Sequence, residues 1–100
     1  MVCATYEERL NSEKRSTLEI IYDMLRSLTN GGLRKTQLAN RARLDFRVME
    51  RHLALALSLK LVKVDEVTGL IHITDKGRKF IAEYEEFARE FALLPYNQNI

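Results

Sequence analysis

The sequence predicts a mostly α-helical fold with one small β-hairpin, in the order helix, helix, helix, hairpin, helix. Three observations carry this. Apolar residues recur at three-to-four spacing from Leu18 to Leu57, as on the buried faces of amphipathic helices. From Leu61 the pattern changes to two β-branched runs, Leu61-Val62-Lys63-Val64 and Leu70-Ile71-His72-Ile73, joined by Asp65-Glu66-Val67-Thr68-Gly69. Beyond them Phe80, Tyr84, Phe87, Phe91 and Leu94 step by 4, 3, 4 and 3, a heptad stripe that stops before Pro95.

In the first helix Leu18, Ile21, Leu25 and Leu28 form the core-facing stripe, with Ile20 and Met24 beside them. Thr29-Asn30-Gly31-Gly32 ends it, the glycine pair supplying the left-handed stop. Its start has two competing capping boxes, Thr5 with Glu8 and Ser16 with Glu19, and a long or broken first helix is expected. Leu38, Ala39 and Ala42 predict a short second helix from about Lys35. Asp45 is the N-cap of a third, with Met49, Leu53, Ala56 and Leu57 on its inner face. Thr74 caps the last helix.

A chain of 100 residues at 11.7 kDa, 46% hydrophobic and 30% charged, is expected to form one folded domain over 1–100, with a core over about 12–74 and a C-terminal dimerisation helix over about 75–94. No apolar run approaches the roughly 20 residues of a membrane span, and Glu7, Glu8 and Arg9 stand where a signal peptide would be apolar. The expected location is therefore the cytoplasm. The lone cysteine, Cys3, excludes an internal disulfide and any multi-cysteine zinc or iron–sulfur site. It reads either as a free thiol near a frayed terminus or as a bridge between two chains.

Net charge is only +2, but it is unevenly placed. Residues 1–33 carry −1 and residues 65–100 carry −3, whereas residues 34–64 hold eight basic groups against Asp45 and Glu50, for +6. A basic block of this kind suits phosphate binding, since each neutralised phosphate releases condensed counterions. A merely solvated basic surface is the alternative.

Three helices followed by a two-stranded hairpin, with a basic third helix, resemble the winged helix-turn-helix arrangement: a three-helix core, a two-stranded wing and a long C-terminal helix. Gln37-Leu38-Ala39, Leu44-Asp45, Met49-Glu50-Arg51-His52-Leu53 and Leu61-Val62 resemble the layout of the second and third helices in prokaryotic winged-helix regulators. Thr74-Asp75-Lys76-Gly77 is similar to the threonine-to-glycine turn after the wing in archaeal members. The resemblance covers residues 16–94 and implies DNA binding, sequence-selective or architectural, by a homodimer without a cofactor. Two features depart from it. Asp65 and Glu66 occupy the wing, where the family carries Arg or Lys, and the third helix has apolar Val48, Leu55 and Leu59 outside its main stripe. A helix apolar most of the way round must be covered on more than one side, by the first helix or by a second subunit.

With Asp45 as N-cap, Phe46, Arg47, Val48, Glu50 and Arg51 point away from the Met49 and Leu53 face and towards a groove. An arginine fork can bond guanine O6 and N7 together, and Glu50 can accept from cytosine N4 or orient Arg47 and Arg51. Arg34, Lys35 and Thr36 begin the second helix, where free N–H groups and the helix dipole favour a phosphate. Arg43 in the turn and Lys63 on the first strand are further phosphate candidates, and Lys60 solvates the end of the third helix. The dimer interface is expected at Phe80, Tyr84, Phe87, Phe91 and Leu94, the alternative being that this stripe packs back on the first helix.

His52 and His72 lack the spacing of a metal pair. Glu83, Glu85, Glu86 and Glu90 read as a solvated face beside Lys79 and Arg89. With no nucleophile motif, phosphate-cradling glycine loop or buried acid pair, neither an enzyme nor a metal, cofactor or small-molecule site is expected. The expected function is sequence-selective double-stranded DNA binding by a homodimeric transcriptional regulator, with the third helix in the major groove. The alternatives are a protein–protein interaction module on the same scaffold and a non-specific nucleoid-associated DNA binder.

Overall fold

The computed structural model describes residues 15–91. Helix α1 spans Thr17–Ser27, α2 Lys35–Ala42 and α3 Phe46–Ser58. Strands β1 (Val62–Val64) and β2 (Ile71–Ile73) follow, and α4 spans Asp75–Glu90. The element order is the one predicted. Cys3, Leu94 and the box at Thr5 and Glu8 lie outside the described residues.

Side-chain caps set the starts of three helices. At α1 the Ser16 hydroxyl accepts from the Glu19 N–H at 3.1 Å, and the Glu19 carboxylate accepts from the Ser16 N–H at 2.9 Å. This reciprocal box satisfies two donors the first turn would otherwise leave open. Asp45 Oδ1 accepts from the Arg47 N–H at 2.9 Å to start α3. Thr74 Oγ1 accepts from the Gly77 N–H at 3.0 Å to start α4, while its hydroxyl donates to the Lys60 carbonyl at 2.7 Å. One residue thus caps a helix and ties it to the end of α3.

The hairpin is antiparallel, pairing Val62 with Ile73, Lys63 with His72 and Val64 with Ile71. Leu33, between α1 and α2, adds a third short edge: its N–H donates to the Ile71 carbonyl at 3.1 Å, and the Ile71 N–H donates back at 2.8 Å. The hairpin is thereby fastened to the helical core at its β2 side. Gly69, at φ 78°, takes the left-handed position in the turn between the strands.

Ile21, Met24, Leu25 and Leu28 of α1 and its cap, Leu38 of α2, Met49 of α3 and Ile71 of β2 are fully buried in a single cluster. α3 buries Met49, Leu53 and Ala56, but Leu57, predicted on the same face, is exposed. At 100° per residue, Met49, Leu53 and Ala56 point one way and Leu57 falls at the edge of that arc. Val48 is half-buried against the core, and Leu55 and Leu59 are exposed.

The last helix packs on the core through the face beside the heptad stripe. Its buried residues are Gly77, Ile81 and Ala88, which with half-buried Tyr84 face the core side, and the Tyr84 ring lies 4.6 Å from that of Tyr22 on α1. Tyr22 donates to Glu85 at 2.6 Å, and burial pushes its hydroxyl to titrate above the usual tyrosine range. Two apolar stripes therefore run along α4 and share Tyr84. The inner one packs on α1 and the hairpin; the outer one holds half-buried Phe80, then Phe87 and Phe91, which stay 51% and 59% exposed.

Gly77 is where α4 meets the hairpin. A Cβ there would lie 2.3 Å from the Leu61 carbonyl oxygen and 2.7 Å from Ile73 Cγ1. The first of these is backbone and cannot swing aside. Gly77→Ala is therefore expected to destabilise the fold by about 1–3 kcal/mol, the usual cost of overpacking, despite alanine's better helix propensity. Urea denaturation checks this, and an unchanged or raised stability would contradict the close approach.

Candidate nucleic-acid interface

The face of α3 farthest from the core carries Arg47, Arg51, Ala54 and Ser58, all exposed. Arg47 and Arg51 are one turn apart and so project side by side. Among the described residues neither forms an ion pair. Their burial-free position follows from the local sequence: Asp45 fixes the first turn of α3, and Met49 and Leu53 hold the opposite side in the core.

Glu50 turns to a different partner from the two predicted. Its carboxylate lies 3.1 Å from Lys35 Nζ, bridging the start of α2 to α3, and both side chains are about half exposed. Such an exposed pair contributes at most about 1 kcal/mol and is readily exchanged. An arriving phosphate can take Lys35 and leave Glu50 to solvent or to a base edge. Sequence separation hid this pair, since the two residues lie on different helices.

Arg34 precedes α2, and its N–H donates to the Gln37 side chain at 2.9 Å. Its guanidinium reaches towards the Thr68 carbonyl at 3.4 Å, so the start of α2 and the turn of the wing lie side by side. Thr36 is exposed in the first turn of α2, where backbone N–H groups lack intrahelical acceptors. Lys63 stands on the outward side of β1, opposite His72. Arg34, Lys35, Thr36 and Glu50 are thus gathered at one end of α2, with Arg47 and Arg51 on the outer side of the adjoining α3 and Lys63 on the hairpin.

Arg43 is placed elsewhere. It ends α2 in the left-handed conformation, φ 59°, at the opposite end of a helix of eight residues, about 12 Å away at 1.5 Å per residue. Its carbonyl and that of Ala42 both accept from the Arg15 guanidinium, which also pairs with Asp23 of α1. No signal of spacing in the sequence marks Arg15 or Asp23.

The wing carries its acids for a local reason. Asp65 Oδ1 accepts from the N–H of Val67 at 2.8 Å and of Thr68 at 3.4 Å, building the turn. These backbone donors hold the Asp65 carboxyl below the usual carboxylate range. Val67, 93% exposed, stands at the tip. The wing therefore presents an anionic and apolar tip rather than cations for phosphate.

Among the described residues there is no group of three or more His, Cys, Asp or Glu arranged to hold a metal ion, and no helix long and apolar enough to cross a membrane.

The arrangement has close counterparts among solved structures. Sso10a-2, a DNA-binding protein from Sulfolobus solfataricus, superposes with a TM-score of 0.67 at 24% identity, over 78% of this chain and 83% of that one. A MarR family transcriptional regulator from Silicibacter pomeroyi superposes with a TM-score of 0.63 at 24% identity, over 89% of this chain and 60% of that one. In sequence, an uncharacterized protein of Methanocaldococcus jannaschii is 28% identical over 80 residues; the match spans 80% of this chain and 37% of that relative's length. The winged helix-turn-helix family model matches residues 14–91, the stretch that holds all four helices and the hairpin just described, and the chain belongs to that family.

Proposed function

We propose that this chain is a homodimeric transcriptional regulator that binds double-stranded DNA sequence-selectively, with α3 in the major groove. The observation that carries the reading is the pair Arg47 and Arg51, side by side on the face of α3 opposite the core and without an ion-pair partner among the described residues. Each presents a fork suited to guanine O6 and N7. Glu50 flanks them within reach of a cytosine N4. Arg34, Lys35 and Thr36 hold a backbone phosphate at the start of α2, aided by its dipole, and Lys63 adds a second from the hairpin. Arg43 takes no part at this face. The DNA-binding description of Sso10a-2 and the regulator description of the MarR protein support the same reading.

Binding is expected to weaken steeply with salt. A dimer making about 6 to 10 phosphate contacts gives a log–log slope near −5 to −9, at roughly −0.9 per contact. Fluorescence anisotropy with a duplex across a chloride series measures it. A slope shallower than about −2 would favour a protein–protein interaction module instead, a reading that the acidic wing and the exposed Leu55 and Leu59 support.

Dimerisation through α4 rests on its outer stripe. The Phe87 and Phe91 rings contact each other, with centroids 4.8 Å apart and planes tilted by 44°, while remaining more than half exposed. Aromatic side chains offer about 150–250 Å² each, at about 25 cal/mol per Å² of apolar area removed from water. Phe80 extends the same line, and Tyr84 joins it to the inner stripe. Sedimentation equilibrium on the wild type and on a Phe87→Glu, Phe91→Glu variant tests this. Because both rings lie outside the core, the variant is expected to stay folded and become monomeric. A monomeric wild type at micromolar concentration would contradict the homodimer, and a dimer surviving both changes would place the interface elsewhere.

A further inference from the structure

A second basic surface lies away from the outer face of α3. Between α1 and the end of α2 is an open recess of about 440 Å³, lined chiefly by Arg15, Asp23, Arg26, Ser27, Arg41 and Arg43. Four guanidinium groups against one carboxylate leave it +3. The carboxylate is already engaged: Arg15 pairs with Asp23 and donates to the Ala42 carbonyl at 3.2 Å and the Arg43 carbonyl at 2.8 Å. Arg15 therefore acts as a brace that joins α1 to the α2–α3 turn, and its charge is spent on Asp23.

The three remaining arginines are differently placed. Arg26 is more than half exposed and only loosely paired, 3.7 Å from Glu85. Arg41 and Arg43 are exposed and, among the described residues, form no ion pair. Arg43 moreover occupies a left-handed position, φ 59°, where glycine or asparagine would cost less. The helix dipole favours a cation at this C-terminal position, and Lys60 takes the same left-handed conformation after α3 at φ 65°, so what marks the recess is the gathering of three arginine side chains round it. Arg26 has only its loose contact with Glu85 and the recess keeps a net positive charge, so a bound anion would relieve the repulsion among the three arginines. The lining is mostly polar, which disfavours an apolar ligand, and planar donor forks from α1 and the end of α2 suit the oxygens of a phosphate.

We propose that the recess between α1 and the α2–α3 turn is a phosphate-binding site, in which Arg26, Arg41 and Arg43 hold the phosphate and the Arg15–Asp23 brace fixes the walls. The phosphate belongs either to a free phosphorylated small molecule or to a DNA backbone running past the turn. The site does not depend on α3 reading bases.

The test is a titration of the full chain with inorganic phosphate at constant ionic strength, balanced with chloride, followed by amide and arginine Nε–H resonances. Saturable shifts are expected at Ser27, Arg41 and Arg43. They are expected to persist in an Arg47→Gln, Arg51→Gln variant and to weaken about tenfold or more in Arg41→Gln, Arg43→Gln, since two charge-assisted hydrogen-bond donors are lost. Neither Arg41 nor Arg43 braces the fold through its side chain among the described residues, so an unchanged melting temperature is expected and checks that the variant is folded. Shifts that are absent, linear in phosphate, or equal in the two variants would overturn the site. A duplex arm then separates the sources. A salt slope shallower by about 2 in Arg41→Gln, Arg43→Gln assigns the phosphate to the DNA backbone, and an unchanged slope assigns it to a free ligand. Should the chain bind no duplex at all, the phosphate titration still decides the recess by itself.

Discussion

Replacing Met49 with alanine is expected to cost about 2–5 kcal/mol of stability, the range for truncating a buried Met in a packed core. Its side chain is fully buried in the cluster shared by α1, α2, α3 and the hairpin. The loss combines a smaller apolar burial with a cavity that neighbouring helices cannot fill without moving. Against a total of about 5–15 kcal/mol for a domain of this kind, a large part of the fold's margin disappears. The consequence reaches function, because Met49 and Leu53 set the rotation of α3 and hence the direction of Arg47 and Arg51. Leu57→Ala, on an exposed position of the same helix, serves as the control and is expected to cost well under half as much. Equal losses for the two, measured by urea denaturation, would contradict the observed rotation of α3.

The second large effect is on binding. Arg47→Ala and Arg51→Ala are each expected to weaken binding to a preferred duplex by about 1–3 kcal/mol, with base preference relaxed at the positions they read. At about 1.4 kcal/mol per tenfold, either change alone costs roughly five-fold to more than a hundred-fold. The two residues lie one turn apart and share a stretch of groove, so the double variant need not equal their sum. Lys35→Ala is expected to act differently. It removes a phosphate contact and leaves Glu50 without its partner next to the duplex, so all sequences weaken alike and the salt slope becomes shallower by about 1. Competition anisotropy with several duplexes separates the two behaviours. Identical responses from all three variants would remove α3 as the reading element.

Much of this architecture is legible in the residue pattern because it is local. The stripe of α1, the capping box of Ser16 with Glu19, the N-caps Asp45 and Thr74 and the hairpin from Leu61 to Ile73 all arise from interactions within a few positions along the chain. What escaped is tertiary. Leu33 pairs with Ile71 as an isolated bridge, and one residue has no period to read. Gly77 is required by the approach of the Leu61 carbonyl, which helix propensity alone argues against. On α4 the regular 4-3-4-3 series marks Phe80, Tyr84, Phe87 and Phe91 for a second subunit, while the face packed on the core is the neighbouring one through Gly77, Ile81 and Ala88, with Tyr84 shared between the two. Two overlapping stripes satisfy the same periodicity, and the partner surface chooses between them. In the candidate site, Arg47 and Arg51 follow directly from the helical repeat of α3. The pairing of Glu50 with Lys35, and the removal of Arg43 to a recess shared with Arg15 and Asp23, depend on how α1, α2 and α3 pack together.

Selection of bound duplexes from a random pool, at stated salt and with wild type beside the Arg47→Ala, Arg51→Ala variant, tests the role of α3 most directly. The expected result is an enriched sequence for the wild type, with guanines at defined positions and two related half-sites about 10–10.5 base pairs apart, whose enrichment collapses in the variant. An unenriched pool retained equally by both proteins would contradict base reading by Arg47 and Arg51 and leave a binder of DNA without sequence preference.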